Sequence, residues 1–184
     1  MVSTQYGFTA SATTESVGPK FLRGTDINKT SYIDWSQVPY CPEEGLDKAK
    51  YALVPGDILV IRMADPGKVA LVEEPVDAIF ASYLVRLKLI SDEITPTYLF
   101  FVLSDREYQS FISGASGGST RKSASAKLLT EFSVVVPPLE HIASFEERVH
   151  PIRSQTAKLL YANANLRKAR DLLLPKLMSG EIAV

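Results

Sequence analysis

Residues 51–63 read YALVPGDILVIRM. Pro55-Gly56-Asp57 is a turn signal, because proline presets φ and glycine accepts φ > 0. The short apolar run before it and the run Ile58–Met63 after it predict a β-hairpin. Asp65-Pro66-Gly67-Lys68 marks a second turn, and beyond it KVALVEE (68–74) and AIFASYLVRLKLI (78–90) read as two more strands with alternating or wholly buried patterns. The first half of the chain is therefore β-rich.

Working toward the C-terminus, Thr95-Pro96 starts a helix, with Pro near its first position. Tyr98, Leu99, Val102, Leu103, Phe111 and Ile112 share roughly one face of that helix, which is expected to end before Gly114. The stretch GASGGSTRKSAS (114–125) is too polar to pack and reads as a loop. Ser125 is placed to cap a short helix through Lys127–Thr130, and FSVVV (132–136) reads as a strand stopped by Pro137-Pro138. From Leu139 the pattern is helical: a short helix LEHIASFEERV (139–149), a break at His150-Pro151, and a long helix from Ile152 to about Met178 ended by Gly180. In the long helix Ile152, Leu159, Leu166 and Leu173 recur every seven residues, and Ala162 and Ala169 occupy interleaved positions shared with Gln155 and Lys176. Leu160, Leu172, Leu174 and Leu177 widen the apolar face, so the helix requires a partner. At 1.5 Å per residue it spans ~40 Å and reads as a spacer or docking element.

A chain of 184 residues, 46% hydrophobic and 22% charged, belongs to the folded class and has room for one domain plus an appended element. No apolar run is long enough for a membrane span, and the first residues lack a secretory pattern, so a cytoplasmic protein is expected. Cys41 is the single cysteine and His141 and His150 the only histidines, which removes disulfide frameworks and Cys/His zinc clusters. The net charge of −1 hides a split. Residues 148–176 hold seven basic side chains against Asp171 alone, a balance of +6 that leaves −7 for the remainder.

Catalytic motifs were sought. Gly114–Gly118 matches G-x-S-x-G around Ser116, with Glu131 and His141 following in hydrolase order, but a helix precedes the serine where a strand is required. No P-loop occurs. No Asp or Glu is followed two residues later by Lys, and Pro137-Pro138 lies between Val136 and Leu139 rather than after Asn or Asp and before an aromatic residue. Neither a nuclease metal half-site nor an amino-methyltransferase base clamp is present. The chain is read as non-catalytic and without a cofactor.

YGFTASA (6–12), FLRGTDINKTSYIDWSQVPYC (21–41), LVPGDILVIRMADPGKVALVEE (53–74), AIFASYLVRLKL (79–89), YLFFVLSDREYQSFI (98–112), GGSTRKSASAKLL (117–129), VVVPPLEHI (134–142) and LRKARDLLLPKLMSGEI (166–182) in this order resemble the specificity subunit of type I restriction-modification systems. The resemblance spans nearly the whole chain. It implies a mixed α/β (α+β) fold: a β-rich target-recognition domain, residues 1–149, and a conserved spacer and dimerisation helix, residues 150–184, pairing antiparallel with a second such helix. It further implies double-stranded DNA as ligand, docking of DNA-adenine methyltransferase subunits, and recruitment of a restriction and translocase subunit. Family members carry two recognition domains and two helices, whereas this sequence has one of each and lacks the segment that usually precedes the YGFTASA-like stretch. A half-subunit, a truncated product and an engineered fragment all fit. A half-subunit would homodimerise through Ile152, Leu159, Ala162, Leu166, Ala169, Leu173 and Leu177 and read a palindromic split target. The ~40 Å helix is comparable to one DNA turn of ~34–36 Å.

Loops carry recognition, so the candidate DNA contacts are the polar residues flanking turns. These are Ser119, Thr120, Arg121, Lys122, Ser123 and Lys127 in and after the glycine-rich loop, Arg62 and Lys68 around the Asp65-Pro66-Gly67 turn, Lys20 and Arg23, and Ser82 and Tyr83. Two of them have a competing reading, since Arg23 and Arg62 are within reach of internal ion pairs with Asp26, Asp57 or Asp65. Tyr6 is open to both stacking and core roles. The acidity of residues 1–147 keeps a rival reading in play, a coiled-coil interaction or assembly module whose head contacts protein rather than DNA.

Overall fold

The computed structural model describes residues 1–28, 32–115 and 123–182. The chain divides into two compact units, Met1–Glu146 and Glu147–Val184. Its strands are β1 (Val2–Tyr6), β2 (Lys20–Leu22), β3 (Ile58–Ile61), β4 (Val69–Leu71), β5 (Ala78–Phe80) and β6 (Leu84–Leu89). The helices are α1 (Gly24–Ile27), α2 (Lys48–Tyr51), α3 (Pro96–Ser104), α4 (Arg106–Ala115), α5 (Ala126–Thr130) and α6 (Leu139–Met178).

β3 explains the layering. All four residues of ILVI are buried, which requires apolar neighbours on both faces. Ile58 and Val60 face one cluster with Val69, Leu71, Val85 and Leu87, covered by Leu99, Phe100 and Leu103 of α3, Tyr108 and Ile112 of α4, and Leu129 of α5. Leu59 and Ile61 face the opposite cluster with Ala70, Leu84, Leu22, Ala78 and Phe80. The first sheet is antiparallel in the order β1-β6-β3-β4, and a two-stranded parallel sheet, β2-β5, lies over its second face. Phe21 and Ile79 point away from that face into a third small cluster with Cys41, whose thiol burial pushes its pKa up. The mixed α/β fold follows, with a β-rich unit and a long C-terminal helix.

Local predictions fail in five places, four of them in the first unit. The hairpin at Pro55-Gly56-Asp57 does not form, because Tyr51 ends α2 and the following residues bond elsewhere, Leu53 N–H to Ala78 O at 2.9 Å and Gly56 N–H to Val72 O at 2.8 Å. The hairpin forms one turn later, β3 with β4 across Asp65-Pro66-Gly67. AIFASYLVRLKLI is two strands, since Ser82-Tyr83 turns the chain from one sheet to the other. The single helix after Thr95 is two: Thr95 caps α3 through Tyr98 N–H at 3.1 Å, and Asp105, extended at φ −72 and ψ 159, ends it and accepts Glu107 N–H at 3.1 Å to begin α4. FSVVV pairs with no strand among the described residues; Val134 packs on the first cluster and Tyr98 Oη donates to Val135 O at 3.0 Å, which ties the segment down without a ladder.

Ser125 caps α5 as expected, accepting Leu128 N–H at 3.1 Å. The predicted break at His150-Pro151 is absent: α6 runs unbroken for 40 residues with Pro151 inside it. A proline forfeits one helical hydrogen bond and crowds the carbonyl four residues back, and the turns on either side hold the helix through that loss. Gly180 does end it. At φ +74 it makes a left-handed cap in which Glu181 N–H bonds Lys176 O at 3.0 Å and Gly180 N–H bonds Leu177 O at 3.3 Å. In the first unit Ile142 joins the core and Phe145 meets Tyr98 and Phe101 edge-on.

Candidate nucleic-acid interface

Strand register gathers several candidate residues at one end of the sheets. Tyr6 lies opposite Val85, Ile61 opposite Leu84, and Val60 opposite Val69. So the last residues of β1 and β3 meet the first residues of β6 and β4. In the parallel pair Leu22 lies opposite Phe80, which brings Arg23 and Ser82 to the matching ends. Hydrogen bonds close this rim: Arg62 N–H to Tyr83 O at 3.0 Å, Ser82 N–H to Phe8 O at 2.8 Å, Ala81 N–H to Leu22 O at 2.9 Å, and Ile61 N–H to Lys68 O at 2.8 Å. The segment after the glycine-rich loop returns here too, with Ser123 bridged to Met63 and Ala124 N–H bonded to Arg62 O at 2.8 Å. Ala126 N–H donates to the Tyr6 hydroxyl at 3.1 Å.

Gly7 permits this convergence. A Cβ there would stand 2.3 Å from Ala81 O and 2.4 Å from Phe80 O, so only glycine lets the end of β1 approach the turn between β5 and β6.

The rim residues differ in availability. Arg62 lays its guanidinium 4.9 Å from the centroid of the Tyr6 ring, and its buried Nε has no hydrogen-bond partner among the described residues. None of Asp26, Asp57 and Asp65 holds it. Arg23, by contrast, is gripped by Asp26 through two bonds of 3.1 and 2.8 Å, and the hydrogen bond to that carboxylate raises its pKa. Tyr83 is 57% exposed; Ser82 is half-buried, and Ser123 and Lys68 are exposed. Lys127 is exposed and only loosely paired with Glu131 at 3.8 Å. Lys20 begins β2 at the opposite end, where its ammonium donates to Val38 O at 2.7 Å and sits 3.9 Å over the Tyr40 ring. Ser119, Thr120, Arg121 and Lys122, together with Ser116 of the hydrolase-like stretch, lie outside the described residues.

Charge is segregated along the strands. The rim end carries Arg23, Arg62 and Lys68 against Asp26 and Asp65, whereas Glu73 and Glu74 follow the far end of β4 and Asp92 and Glu93 the far end of β6. Asp77, before β5, is also at the far end and pairs with Lys48 at 2.8 Å, which raises the Lys48 pKa. Four of these acids thereby follow the far strand ends, while Asp26 at the rim is taken up by Arg23.

Sequence reading missed Arg86. On β6 it donates to Ala52 O at 2.7 Å, to Asp57 at 3.2 Å, to Lys50 O at 3.3 Å and to the Gln5 side chain, tying α2, the following loop, β1 and β6 together beneath the rim. An arginine inside an apolar run, with an aspartate at the mouth of a neighbouring strand, was the available signal. Among the described residues no three His, Cys, Asp or Glu side chains gather into a metal site, and no helix is long and apolar enough to cross a membrane.

In the second unit the predicted seam residues are exposed. Leu159 is 55% and Leu166 66% exposed, Ile152, Leu173 and Leu177 are likewise open to solvent, and so are Ala162 and Ala169.

Comparison with known proteins agrees with this architecture. The fold is shared with the S subunit of the type I restriction-modification system of M. genitalium (TM-score 0.69, 16% identity, 97% of this chain and 43% of that one). It is also shared with the HsdS subunit of Thermoanaerobacter tengcongensis (TM-score 0.58, 20% identity, 98% of this chain and 43% of that one). In sequence, 92 residues are 29% identical to the type I restriction enzyme HindI specificity subunit of Haemophilus influenzae, covering 50% of this chain and 20% of the relative. The chain thus spans less than half the length of the relatives it matches. Residues 14–149 match the type I restriction modification DNA specificity domain, and the chain belongs to that family.

Proposed function

We propose that this chain is a DNA-recognition component of a type I restriction-modification complex, non-catalytic in itself and acting in the cytoplasm. The first unit reads one half of a bipartite duplex target through the rim, using Arg23, Arg62, Lys68, Ser82, Tyr83, Ser123 and Lys127 with the loop residues Ser119, Thr120, Arg121 and Lys122. Lys20 contributes by holding its own segment in place. The observation that carries this reading is the match of residues 14–149 to the DNA specificity domain, supported by the cationic, turn-rich end of the sheets.

The open apolar seam of the second unit supports a further assignment. Ile152, Leu159, Ala162, Leu166, Ala169, Leu173 and Leu177 pair with the same helix of a second copy, antiparallel, and the assembly docks methyltransferase subunits, to which a restriction and translocase subunit attaches. Residues 1–149 are then the reader and residues 150–184 the spacer. Burial of several leucines on each side is the driving force, since each fully buried leucine contributes roughly 1.5–3 kcal/mol.

The test is to purify the chain with the methyltransferase subunit encoded beside it and map the methylated adenines in DNA exposed to the complex. A split palindrome is expected. An asymmetric motif would replace the two-fold arrangement by pairing with a different recognition domain, and absence of both complex and motif would favour an assembly module. Sedimentation of Leu159→Asp with Leu166→Asp should give monomers; a surviving dimer would remove the seam from the interface.

A further inference from the structure

Among the described residues, Arg23, Arg62 and Arg86 stand at or beside the sheets, and the structure uses two of them internally. Arg23 is bound by Asp26. Arg86 is bound by Asp57, two backbone carbonyls and Gln5. Arg62 is different: its side chain has no hydrogen-bond or ion-pair partner among the described residues, its Nε is buried, and its guanidinium rests 4.9 Å from the Tyr6 ring centroid. The ring is itself fixed, because its hydroxyl accepts Ala126 N–H at 3.1 Å and its backbone lies in register opposite Val85.

We propose that Arg62, seated on Tyr6, is the guanine-reading residue of the rim, with Tyr6 as its positioning residue; this deepens the DNA-recognition reading above and rests on it. A guanidinium presents a planar fork of donors that matches the O6 and N7 acceptors of guanine in the major groove. A phosphate contact asks only for a nearby cation, which the exposed Lys68 and Lys127 supply on long, movable stems. Arg62 has the opposite character. Its backbone is pinned on both sides, its N–H to Tyr83 O and its carbonyl to Ala124 N–H, and its half-buried side chain rests on the Tyr6 ring, which restricts where the fork points before DNA arrives. A charged group whose donors are left open in a folded protein, while its orientation is fixed by an aromatic face, is arranged for a planar ligand rather than for bulk attraction.

The experiment selects duplexes with randomised half-sites on the full chain, with its methyltransferase subunits bound where they co-purify, and sequences the retained pool. Wild type should enrich a motif containing guanine. Arg62→Lys keeps the charge and loses the fork, so it should lose preference at one guanine position by roughly 5- to 150-fold while the other positions hold. Replacing that guanine by 7-deazaguanine, which lacks N7, should weaken wild type and leave Arg62→Lys unmoved. Tyr6→Leu should relax the same position, and Tyr6→Phe, which keeps the ring and its place on β1 but loses the bond to Ala126, should retain most of the preference; thermal melting of each variant separates misfolding from lost readout. An Arg62→Lys pool with every position intact, or one weakened uniformly across sequences, overturns the assignment while leaving DNA recognition standing. A wild-type pool that enriches nothing overturns both.

Discussion

Replacing Arg86 by Met should be among the most damaging single changes in the first unit. Asp57 is 1% exposed and Arg86 13% exposed, and they meet at 3.2 Å beneath the loop that follows α2. Removing the guanidinium leaves the Asp57 side chain with one donor among the described residues, Val54 N–H at 3.0 Å, and its Oδ1 already has no partner among them. It also takes from Ala52 O the donor that reaches it at 2.7 Å; Lys50 O keeps the Gln5 amide at 2.9 Å. A carboxylate left buried without its cation costs about 3–5 kcal/mol. With a urea slope of about 2 kcal/mol/M, the unfolding midpoint should fall by about 1.5–2.5 M. Trp35, the single tryptophan, packs against the second cluster and reports the transition by fluorescence. Arg86→Met with Asp57→Asn should recover part of the loss, because the neutral amide no longer needs a counter-charge. A cost below about 1 kcal/mol, or a double variant whose loss equals the sum of the two single losses, would show that the pair is not coupled as its geometry requires.

Two further changes probe the same unit. Gly7→Ala places a methyl group 2.3 Å from Ala81 O, so the β1 end must retreat; a loss of about 1–3 kcal/mol is expected in urea titration, and an unchanged midpoint would mean the rim is more yielding than its spacing implies. Tyr108→Phe removes a buried hydroxyl that donates to Leu129 O at 3.1 Å, with an expected cost of about 1–2 kcal/mol at neutral pH. Burial pushes the Tyr108 phenol above its ordinary value, so its contribution is complete below about pH 10 and is lost as the pH climbs toward the raised folded value. The gap between wild type and Tyr108→Phe should therefore narrow in alkaline urea titrations; a constant gap would contradict the buried placement.

The elements legible in the sequence were those whose cause is local. Thr95-Pro96 and Ser125 carry their own capping chemistry, Gly180 its own left-handed cap, and Asp65-Pro66-Gly67 its own turn. Misreadings came where a distant partner decides. Val134, Val135 and Val136 have strong strand preference, yet they pair with no strand among the described residues, and preference without a pairing partner makes no strand. Leu53 and Gly56 satisfy their backbones on Ala78 and Val72, residues that no pattern within the turn itself could name. β1 went unread because only Val2 and Gln5 of its inner positions are even partly buried.

The rim obeys the same division. Most members abut a buried run: Arg23 follows Leu22, Arg62 follows Ile61, Lys68 precedes Val69, and Ser82-Tyr83 interrupt the apolar run between Ala81 and Leu84, while Tyr6 closes the more exposed β1. A polar residue abutting a buried strand is a pattern that a sequence displays, which is why these positions could be named from the sequence as candidates. Which strand ends meet is set by direction and register, and antiparallel β1 and β3 against β6, with parallel β2 and β5, send five of them to one place. The same topology sends Glu73, Glu74, Asp92 and Glu93 to the other end. On the proposed reading, net charge is therefore a poor guide to whether this head meets a polyanion, because the quantity that matters at the rim is the charge within about one Debye length, ~8 Å at physiological salt, and acids beyond that distance are largely screened.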